Sequence, residues 1–251
     1  MKKIFRGILC IIVMMIGVAT TVYLPAIGDP ASPPNKHVSA VFIANGVADT
    51  NSPNLVTGVL ADYRAFDTLL ESTVLFVAGL GVVLIMLMKR QGEEEYGWRR
   101  TIKISAIIKK QLGVEVEAII PLLVPVLLIY GVYVLFHGEI SLGGGFQAGA
   151  LMAVAYILLN FMGTRGKAIR ISQNFAMALS AIGVMIYFLV GIVTMVFGGE
   201  YLEYGKLPLG LHYGELHSMG ILLIEIGVTI CVMATIIAML EAVLEGRELD
   251  D

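Results

Sequence analysis

Six apolar segments, each long enough to cross a bilayer as a helix, constrain this chain more than any other feature. A helix rises about 1.5 Å per residue, so about 20 apolar residues span the hydrocarbon core. With 57% hydrophobic and 15% charged residues among 251, the chain is too apolar for a soluble domain. The sequence therefore predicts an all-α, polytopic membrane protein with six transmembrane helices. These segments are Ile4–Leu24, Asp67–Met88, Val116–Phe136, Gly144–Met162, Gln173–Phe197 and Leu216–Leu244.

Basic residues fall almost entirely on one side of these six segments. Fourteen of the 17 Lys and Arg residues lie before the first segment or after the second, fourth and sixth, whereas Lys36, Arg64 and Lys206 lie on the other side. Cytoplasmic loops carry such an excess, which predicts a plasma-membrane protein with both termini cytoplasmic. The first segment also resembles a signal peptide, but its apolar stretch is longer than a usual signal core. The basic residues form no stripe or tail, so nothing indicates nucleic-acid binding.

The chain divides most naturally at its polar cytoplasmic connector, between Lys89 and Gly113. We place the boundary near residue 111, which gives a two-helix unit (1–110) and a four-helix unit (111–251). The first unit contains a long outer loop with five prolines, whose first part is expected to be extended. Its second part shows helical spacing after Asn51-Ser52-Pro53, which predicts a short amphipathic helix with proline in its first turn.

An acidic stripe marks the start of the second segment. Arg64, Asp67 and Glu71 lie three and four residues apart, so they share one helical face. Glu71 lies one turn inside the span, where a charge is costly unless it faces a protein interior or a wet cavity. Two interpretations stay open: the stripe belongs to an ion or proton path, or it only locks one helix against another.

A second acidic stripe lies in the sixth segment. His217, Ile221 and Glu225 share a face, and Glu225 lies about 12 Å further along the helix than His217. Glu225 could exchange protons or hold a cation, depending on its neighbours. A satisfied structural acid is the alternative for Glu225, and a structural role is the stronger alternative for His217.

The third segment contains Pro121 and Pro125, a pattern typical of a kinked or partly unwound helix. It ends in a glycine-rich stretch with Gly143, Gly144 and Gly145, which predicts a tight outer hairpin. Gly145 and Gly149 also form a small-residue pattern that lets another helix backbone approach closely. These two interpretations are compatible.

No pattern for a cofactor, a metal or a catalytic group accompanies the acids. The chain has no phosphate-binding glycine loop after a strand, no Cys cluster and no His pair spaced for haem. Cys10 and Cys231 lie inside predicted spans, as expected for inert packed thiols. We therefore expect no cofactor, no metal site and no enzymatic activity in this chain.

Two stretches resemble a known family. Residues from Gly113 onward resemble the MnhB/MrpB subunit of multisubunit cation/proton antiporters, through His137-Gly-Glu-Ile-Ser-Leu-Gly-Gly-Gly-Phe146 and Leu223-Ile-Glu-Ile-Gly-Val228. Residues 1 to about 90 resemble the C-terminal piece of the large MrpA subunit, or MbhE, through Asp62-Tyr-Arg-Ala-Phe-Asp-Thr-Leu-Leu-Glu71. Their fusion resembles the antiporter module of archaeal membrane-bound hydrogenases or of their sulfur-reducing relatives. The chain departs from the family at Glu225, where Asp is common.

The resemblance implies an accessory subunit of a Mrp-type Na⁺/H⁺ translocating module. It implies lipid and membrane-subunit partners of the MrpA/MrpD, MrpC, MrpE, MrpF and MrpG types, with a hydrogenase-like arm as a further partner that would carry any redox catalysis. It also implies that Asp67, Glu71 and Glu225 lie near a sodium or proton route. A purely structural spacer is the main alternative. A free-standing solute carrier is a third hypothesis, but no inverted repeat is visible to support it.

Overall fold

The described part of the chain is helical. The computed structural model describes residues 2–92, 114–161 and 171–248, in which helices are joined by turns and no strand occurs. The nine α-helices of these ranges are α1 (Lys2–Thr21), α2 (Pro33–Lys36), α3 (Val38–Thr50), α4 (Leu55–Gly58), α5 (Ala65–Gly92), α6 (Val114–Phe136), α7 (Gly145–Phe161), α8 (Gln173–Val196) and α9 (Tyr213–Glu248). A π-helix, Val59–Tyr63, joins α4 to α5, and a 3₁₀-helix, Tyr204–Lys206, lies between α8 and α9.

Two compact units divide the chain after Asn45. The first unit, Met1–Asn45, contains α1, α2 and the beginning of α3. Its helix α1 leaves its large apolar side chains exposed from Ile8 to Val18, which fits a helix that lies in lipid. The boundary that the sequence predicts near residue 111 lies in 93–113, outside the described residues.

The second unit, Gly46–Asp251, is built around α9. This helix packs against α8, α7 and α5. Its buried side chains, among them Ile221, Ile224 and Val228, form the main apolar cluster together with Tyr187 of α8 and Leu69 of α5. Such a helix has neighbours on most of its circumference, so polar residues on it must find partners within the protein.

Four helices are long and apolar enough to cross a membrane: Ala65–Leu87, Ile119–Phe136, Gln173–Val196 and Tyr213–Val243. They match four of the six predicted spans. The first and fourth predicted spans correspond to shorter apolar helices of the described residues, Gly7–Thr21 and Gly145–Asn160. A polytopic helical membrane protein is thus supported, whereas six crossings and the cytoplasmic termini remain predictions.

The outer loop differs from its predicted form. Its first part was expected to be extended, which is wrong for α3: Val38–Thr50 contains no proline and is continuously helical, while Pro33 and Pro34 occupy the first positions of α2, where proline is tolerated. The predicted second helix exists, but Pro53 lies outside it. Asn54 caps it instead, because its side chain accepts a hydrogen bond from the Val56 N–H.

Helix α6 runs continuously through Pro121 and Pro125. Of the two predicted forms, the partly unwound helix is therefore wrong for the described backbone, and the kinked helix stays a prediction. Beyond α6, the chain turns tightly through Gly138 and Gly144 into α7, as the glycine-rich pattern predicted. Gly144 has a φ of +135°, a conformation that favours glycine because an L side chain is strained there.

Candidate functional site

Glu225 lies on α9 against the N-terminus of α7. Its Oε2 accepts a hydrogen bond from the backbone N–H of Gly145, the first residue of α7. The first N–H groups of a helix lack intrahelical partners and carry partial positive charge, so they stabilise a carboxylate placed there. The long helix α9 thereby gains a satisfied acid inside an otherwise apolar segment.

The glycines of the hairpin permit this contact. A Cβ on Gly144 would come within 3.2 Å of both carboxylate oxygens of Glu225, and one on Gly145 would lie 2.9 Å from Val228. One turn later, a Cβ on Gly149 would lie 2.7 Å from the Thr229 carbonyl oxygen. Gly143 has a different neighbour, since its Cβ would lie 2.7 Å from the Val134 carbonyl oxygen of α6. The glycine-rich stretch therefore brings two backbones together beside the Glu225 carboxylate.

A cavity of about 360 Å³ leads to Glu225. Three acids line it: Glu215 and Glu225 of α9, and Glu139 of the hairpin. Glu215 is exposed and Glu225 is half-buried, so the acids extend from the surface inward. This is the end of the second unit that the charge pattern predicts to face outward. A space of this size holds several water molecules and gives a hydrated cation access to carboxylate oxygens.

Glu139 is the acid that the hairpin adds to the cavity. Burial raises the pKa of Glu139, and a hydrogen bond with Ser218 partly opposes that effect. The Ser218 hydroxyl also accepts a hydrogen bond from the Asn51 side chain at 3.1 Å. The cavity mouth is thus held by a polar chain that joins the hairpin, α9 and the segment before α4.

Asn54 ties the same two segments together more firmly. Its side-chain amide donates to the carbonyl oxygens of Gly138 at 2.9 Å and Ser141 at 2.7 Å, and its backbone N–H donates to the Glu139 carbonyl oxygen at 2.9 Å. Thr57 adds a bond of 2.6 Å to the Gly138 carbonyl oxygen. These bonds fix the hairpin against the chain that leads into α5.

His217 faces the chain that precedes α5 and pairs with Asp62. Its Nδ1 lies 2.5 Å from Asp62 Oδ2, and both side chains are largely buried. The imidazole packs against the rings of Tyr204 and Tyr213. Its Nε2 is buried without a hydrogen-bond partner among the residues that the structure describes.

The π-helix places Asp62 beside His217. Its irregular backbone also leaves carbonyl oxygens that need hydrogen-bond donors. Wider π turns interrupt the regular ladder and often occur at functional sites. Tyr204 donates to the Ala61 carbonyl oxygen at 2.8 Å, and Tyr187 donates to that of Ala65 at 2.6 Å. Two buried tyrosines therefore hold this irregular turn against α8 and against the 3₁₀-helix that follows it.

The predicted stripe of Arg64, Asp67 and Glu71 lies on the opposite, exposed side. Arg64 Nε donates to Asp67 Oδ2 at 2.7 Å, with both side chains about half exposed. Glu71 is also exposed. It does not face the interior of this chain, contrary to the expectation from its depth in the span. The structure thus places Glu225 and His217, with its partner Asp62, inside the second unit and leaves Arg64 and Glu71 exposed.

Sequence reasoning missed Glu241, the most deeply buried acid of the described residues. Only 2% of it is exposed, and its Oε1 accepts a hydrogen bond of 2.5 Å from the Tyr156 hydroxyl. In the sequence it stands four residues before Glu245 and six before Arg247, as part of a charged helix end. Its apolar neighbours Leu240 and Ala242 were the available signal. Glu139 and Asp62 were likewise not singled out as site residues.

Among the described residues, no three His, Cys, Asp or Glu side chains come together as metal ligands. The two cysteines are free, with Cys10 exposed and Cys231 buried. Cys231 packs beside Ser180 of α8 and donates to the Ser72 carbonyl oxygen of α5 at 3.5 Å. The chemistry of the site is therefore that of carboxyl, imidazole and hydroxyl groups.

Two family models match the chain, one in each half. A domain related to the MnhB subunit of Na⁺/H⁺ antiporters matches residues 115–238, and the MbhE family of MBH subunits matches residues 4–97. The first match contains the hairpin, Glu225 and His217, and the second contains Asp62, Asp67 and Glu71. The resemblance stated from the motifs is confirmed for both halves.

Two curated relatives illustrate the extent of the similarity. An uncharacterized protein of Methanocaldococcus jannaschii, MJ1307, is 35% identical over 166 residues, which cover 60% of this chain and 59% of the relative. The match thus spans about three fifths of that relative. A putative antiporter subunit mnhB2 of Staphylococcus haemolyticus is 30% identical over 142 residues, which cover 55% of this chain and 99% of the relative.

Two solved structures share the fold. One is the Mrp complex from Dietzia sp. DQ12-45-1b, with a TM-score of 0.68 and 26% identity over 94% of this chain and 25% of that chain. The other is the membrane-bound sulfane sulfur reductase, an archaeal respiratory membrane complex, with a TM-score of 0.65 and 24% identity over 97% of this chain and 99% of that chain. At 24% identity the second likeness shows the fold alone.

Proposed function

Since the chain belongs to the family of MnhB-related antiporter subunits, we propose that it is an accessory membrane subunit of a Mrp-type module that exchanges sodium ions for protons. The observation that carries this proposal is the cavity of about 360 Å³ lined by Glu139, Glu215 and Glu225. Carboxylate oxygens and water are the ligands that hard cations prefer. The cavity gives such a cation a route from the predicted outer surface to an acid held within the helix bundle.

The pair of Asp62 and His217 supplies the proton-binding part of the proposal. It lies one turn above Ile221 and two turns above Glu225 on α9, and it joins the segments matched by the two family models. His217 thus offers the proposed path an imidazole whose Nε2 has no hydrogen-bond partner among the described residues.

Glu71 and Asp67 complete the proposed ion path at a surface that another subunit covers. An exposed acid within a span is costly in lipid, so Glu71 requires a partner that brings a basic group, a hydroxyl or water to it. The likeness to the Mrp complex supports membrane-subunit partners, and the resemblance of the motifs adds the MrpA/MrpD, MrpC, MrpE, MrpF and MrpG types to the proposal. Six transmembrane helices with cytoplasmic termini, arranged as units 1–110 and 111–251, belong to this proposal.

A redox-driven assembly is the setting we propose for this chain. The match to MbhE and the fold shared with the sulfane sulfur reductase support a module attached to a hydrogenase-like or sulfur-reducing arm. In that arrangement the chain moves ions or positions the subunits that move them. Redox catalysis belongs to the partner subunits.

A structural spacer is the second candidate, and the bonds of Asn54 to the hairpin favour it. They brace the two halves of the chain at the cavity mouth, which suits a part that holds neighbouring subunits in place. A free-standing carrier is the third candidate, and it would purify as a lone chain that transports.

Substitution of the acids in the intact complex separates the first two candidates. Glu225→Gln and Glu71→Gln keep side-chain size and hydrogen-bonding capacity and remove the charge, so the complex should assemble. We expect sodium-induced collapse of a pH gradient in membrane vesicles to fall at least about tenfold, equivalent to about 1.4 kcal/mol. Glu203→Gln, in the loop after α8, is the matched control. Undiminished transport in assembled Glu225→Gln and Glu71→Gln complexes would establish the spacer instead.

A further inference from the structure

Asn51 forms the left-handed end of α3. Its φ is +55°, in a region that asparagine adopts more readily than most residues with a side chain. Its backbone N–H donates to the Val47 carbonyl oxygen at 3.0 Å, which closes the last turn of the helix. The side chain lies against the start of α9, where a Cβ on Gly214 would come within 3.1 Å of the Asn51 Cγ. The backbone of this turn therefore places the Asn51 amide beside α9.

The Ser218 hydroxyl joins this amide to Glu139. Asn51 Nδ2 donates to Ser218 Oγ at 3.1 Å, and an amide nitrogen cannot accept a hydrogen bond in return. The Ser218 side chain also bonds the side chain of Glu139, and a carboxylate only accepts. The single hydroxyl proton of Ser218 is therefore directed to the Glu139 carboxylate. All three residues line the cavity of the candidate site.

The backbone of Glu139 is held separately from this polar chain. The fully buried Ser52 hydroxyl donates to the Glu139 carbonyl oxygen at 3.0 Å, in addition to the Asn54 N–H described above. These bonds fix the position of the hairpin without the Asn51 side chain. The Asn51 amide therefore acts on the carboxylate end of Glu139 through Ser218, whereas Ser52 and Asn54 act on the backbone.

The charges around Glu139 make this donor important. Among the described residues that line the cavity, the other titratable groups are Glu215 and Glu225 of α9. In the hairpin itself, His137 stacks on Tyr133 of α6, with ring centroids 4.0 Å apart. Carboxylates that share a site disfavour one another's charged forms, whereas a hydrogen bond to the charged form favours it. Ser218 supplies such a bond to Glu139.

We infer that Asn51 is a positioning residue of the proposed ion path, which directs the Ser218 proton to the Glu139 carboxylate and keeps this acid ready to accept a sodium ion at the cavity mouth. Asn51 acts through Ser218, and Ser218 acts on Glu139. The inference rests on the proposed function, because it concerns the acid at the entrance of the proposed path.

The test uses substitutions that remove one member of the chain at a time in the assembled complex. Asn51→Gly removes the amide and tolerates the positive φ, and Ser218→Ala removes the hydroxyl. Each is also combined with Glu139→Gln, and the two are combined with each other. Ser141→Ala is the control, because its hydroxyl donates within the hairpin to the His137 carbonyl oxygen at 3.2 Å. Sodium-induced collapse of a pH gradient in membrane vesicles is measured against sodium concentration and pH.

The expected effect is on sodium affinity and not on the maximal rate. The Ser218 bond lowers the pKa of Glu139, so without it the carboxyl keeps its proton up to higher pH. Ser218→Ala should therefore raise the apparent KM for sodium about three- to tenfold at a pH where Glu139 is partly protonated. The acid limb of the antiport profile should move about 0.5–1 pH unit toward alkaline pH. Asn51→Gly should give a smaller shift in the same direction, and Ser141→Ala none.

The double variants decide whether Asn51 acts through Ser218. Asn51→Gly should add nothing in the Ser218→Ala background, because the hydroxyl that it orients is gone. Neither substitution should shift the profile in the Glu139→Gln background. Additive shifts, or shifts that persist without Glu139, would overturn the inference. If Ser218→Ala prevents assembly, Asn51→Gly with and without Glu139→Gln decides the question by the same criterion.

The remaining outcomes separate the inference from the function on which it rests. If Glu225→Gln lowers antiport while Asn51→Gly and Ser218→Ala keep the sodium KM and pH profile of the unmodified complex, the inference is overturned and the proposed function stands. A lower thermal unfolding midpoint in Asn51→Gly with an unchanged KM would assign Asn51 a structural role only. If neither Glu225→Gln nor Glu139→Gln changes antiport, the proposed function fails and the inference fails with it.

Discussion

Helices α5 and α9 each carry an acid within two or three turns of the same end, but the two acids have opposite surroundings. Of the apolar, membrane-spanning stretch of α9, 61% is buried within the chain, whereas 22% of the corresponding stretch of α5 is buried. The carboxylate of Glu225 therefore contacts a helix N-terminus of its own chain, whereas Glu71 is exposed on the surface of that chain. The comparison shows that the fold encloses one acid within its own chain and leaves the other exposed on its surface.

The difference between enclosed and exposed acids arises in the segment that precedes α5. The π-helix turns Asp62 inward to His217, and the chain then enters α5 with Arg64, Asp67 and Glu71 on the outward face. An inward acid and an outward stripe thus lie within ten residues.

The largest effect is expected where the inward acid is removed. Asp62→Leu should lower the free energy of unfolding by about 3–5 kcal/mol, because His217 would be left in a buried site without its carboxylate. Asp67→Asn, which breaks a half-exposed ion pair, should cost about 0–1 kcal/mol. Thermal unfolding of the detergent-extracted complex measures both. Equal losses would contradict the contrast between inward and outward acids.

A smaller effect is expected from adding a single methyl group to each helix interface. Gly149→Ala would place a Cβ against the α9 backbone at Thr229 and against Val232. This overpacking should lower the free energy of unfolding by about 1–3 kcal/mol. A Cβ on Gly81 of α5 would have no neighbouring atom within 4 Å. Gly81→Ala should therefore leave the free energy of unfolding unchanged or raise it by up to about 1 kcal/mol. The midpoint of thermal unfolding should thus fall in Gly149→Ala alone. A matching decrease in Gly81→Ala would show that the outward face of α5 is closely covered.

The hydrogen bonds of Asn54 at the cavity mouth should contribute about as much to stability as the Gly149 contact. Asn54→Ala removes the cap of α4 and two bonds to the hairpin, which should cost about 2 kcal/mol. Because the hairpin also positions Gly145 against Glu225, sodium-dependent antiport should fall together with stability. Asn174→Ala, at the start of α8 with an exposed side chain, is the control. If a destabilised Asn54→Ala complex keeps full antiport, the hydrogen bonds of Asn54 contribute to stability and not to the ion path.

The smallest effect concerns pH. Burial raises the pKa of Glu139, so the folded protein holds this proton more tightly than the unfolded chain. Stability from this group is fully present below the ordinary pKa of Glu and is lost as the pH rises through the raised value. Glu139→Gln removes the titration and should flatten the decline of the unfolding midpoint with pH. An unchanged slope would show that Glu139 is not the group responsible.

Sequence patterns predicted much of the fold because each depends on short spacing. Apolar length predicted the long helices, and glycine content predicted the tight turn before α7. The motifs around Asp62–Glu71 and His137–Phe146 were sufficient to indicate the family. The errors lie where local signals were ambiguous: two adjacent prolines began a helix rather than an extended loop, and Pro125 was accommodated within α6.

The candidate site was predictable only in part, for a related reason. The spacing of His217 and Glu225 placed both on one face of α9, but it could not supply their partners. Asp62 lies 155 residues from His217 and Gly145 lies 80 from Glu225. Glu241 was missed because its charged neighbours along the chain resemble a solvated helix end, whereas its neighbour in space is Tyr156.

By itself, the sequence determined that this chain is a helical membrane protein of the MnhB-related family with acids placed inside its helices. Only the tertiary structure decided which acids are enclosed by their own chain and which face outward. The physical reason is that helical periodicity fixes the direction of a side chain about its own axis. What lies in that direction depends on the packing of helices distant in sequence, and that packing decides whether a carboxylate meets an N–H, a hydroxyl, water or another subunit.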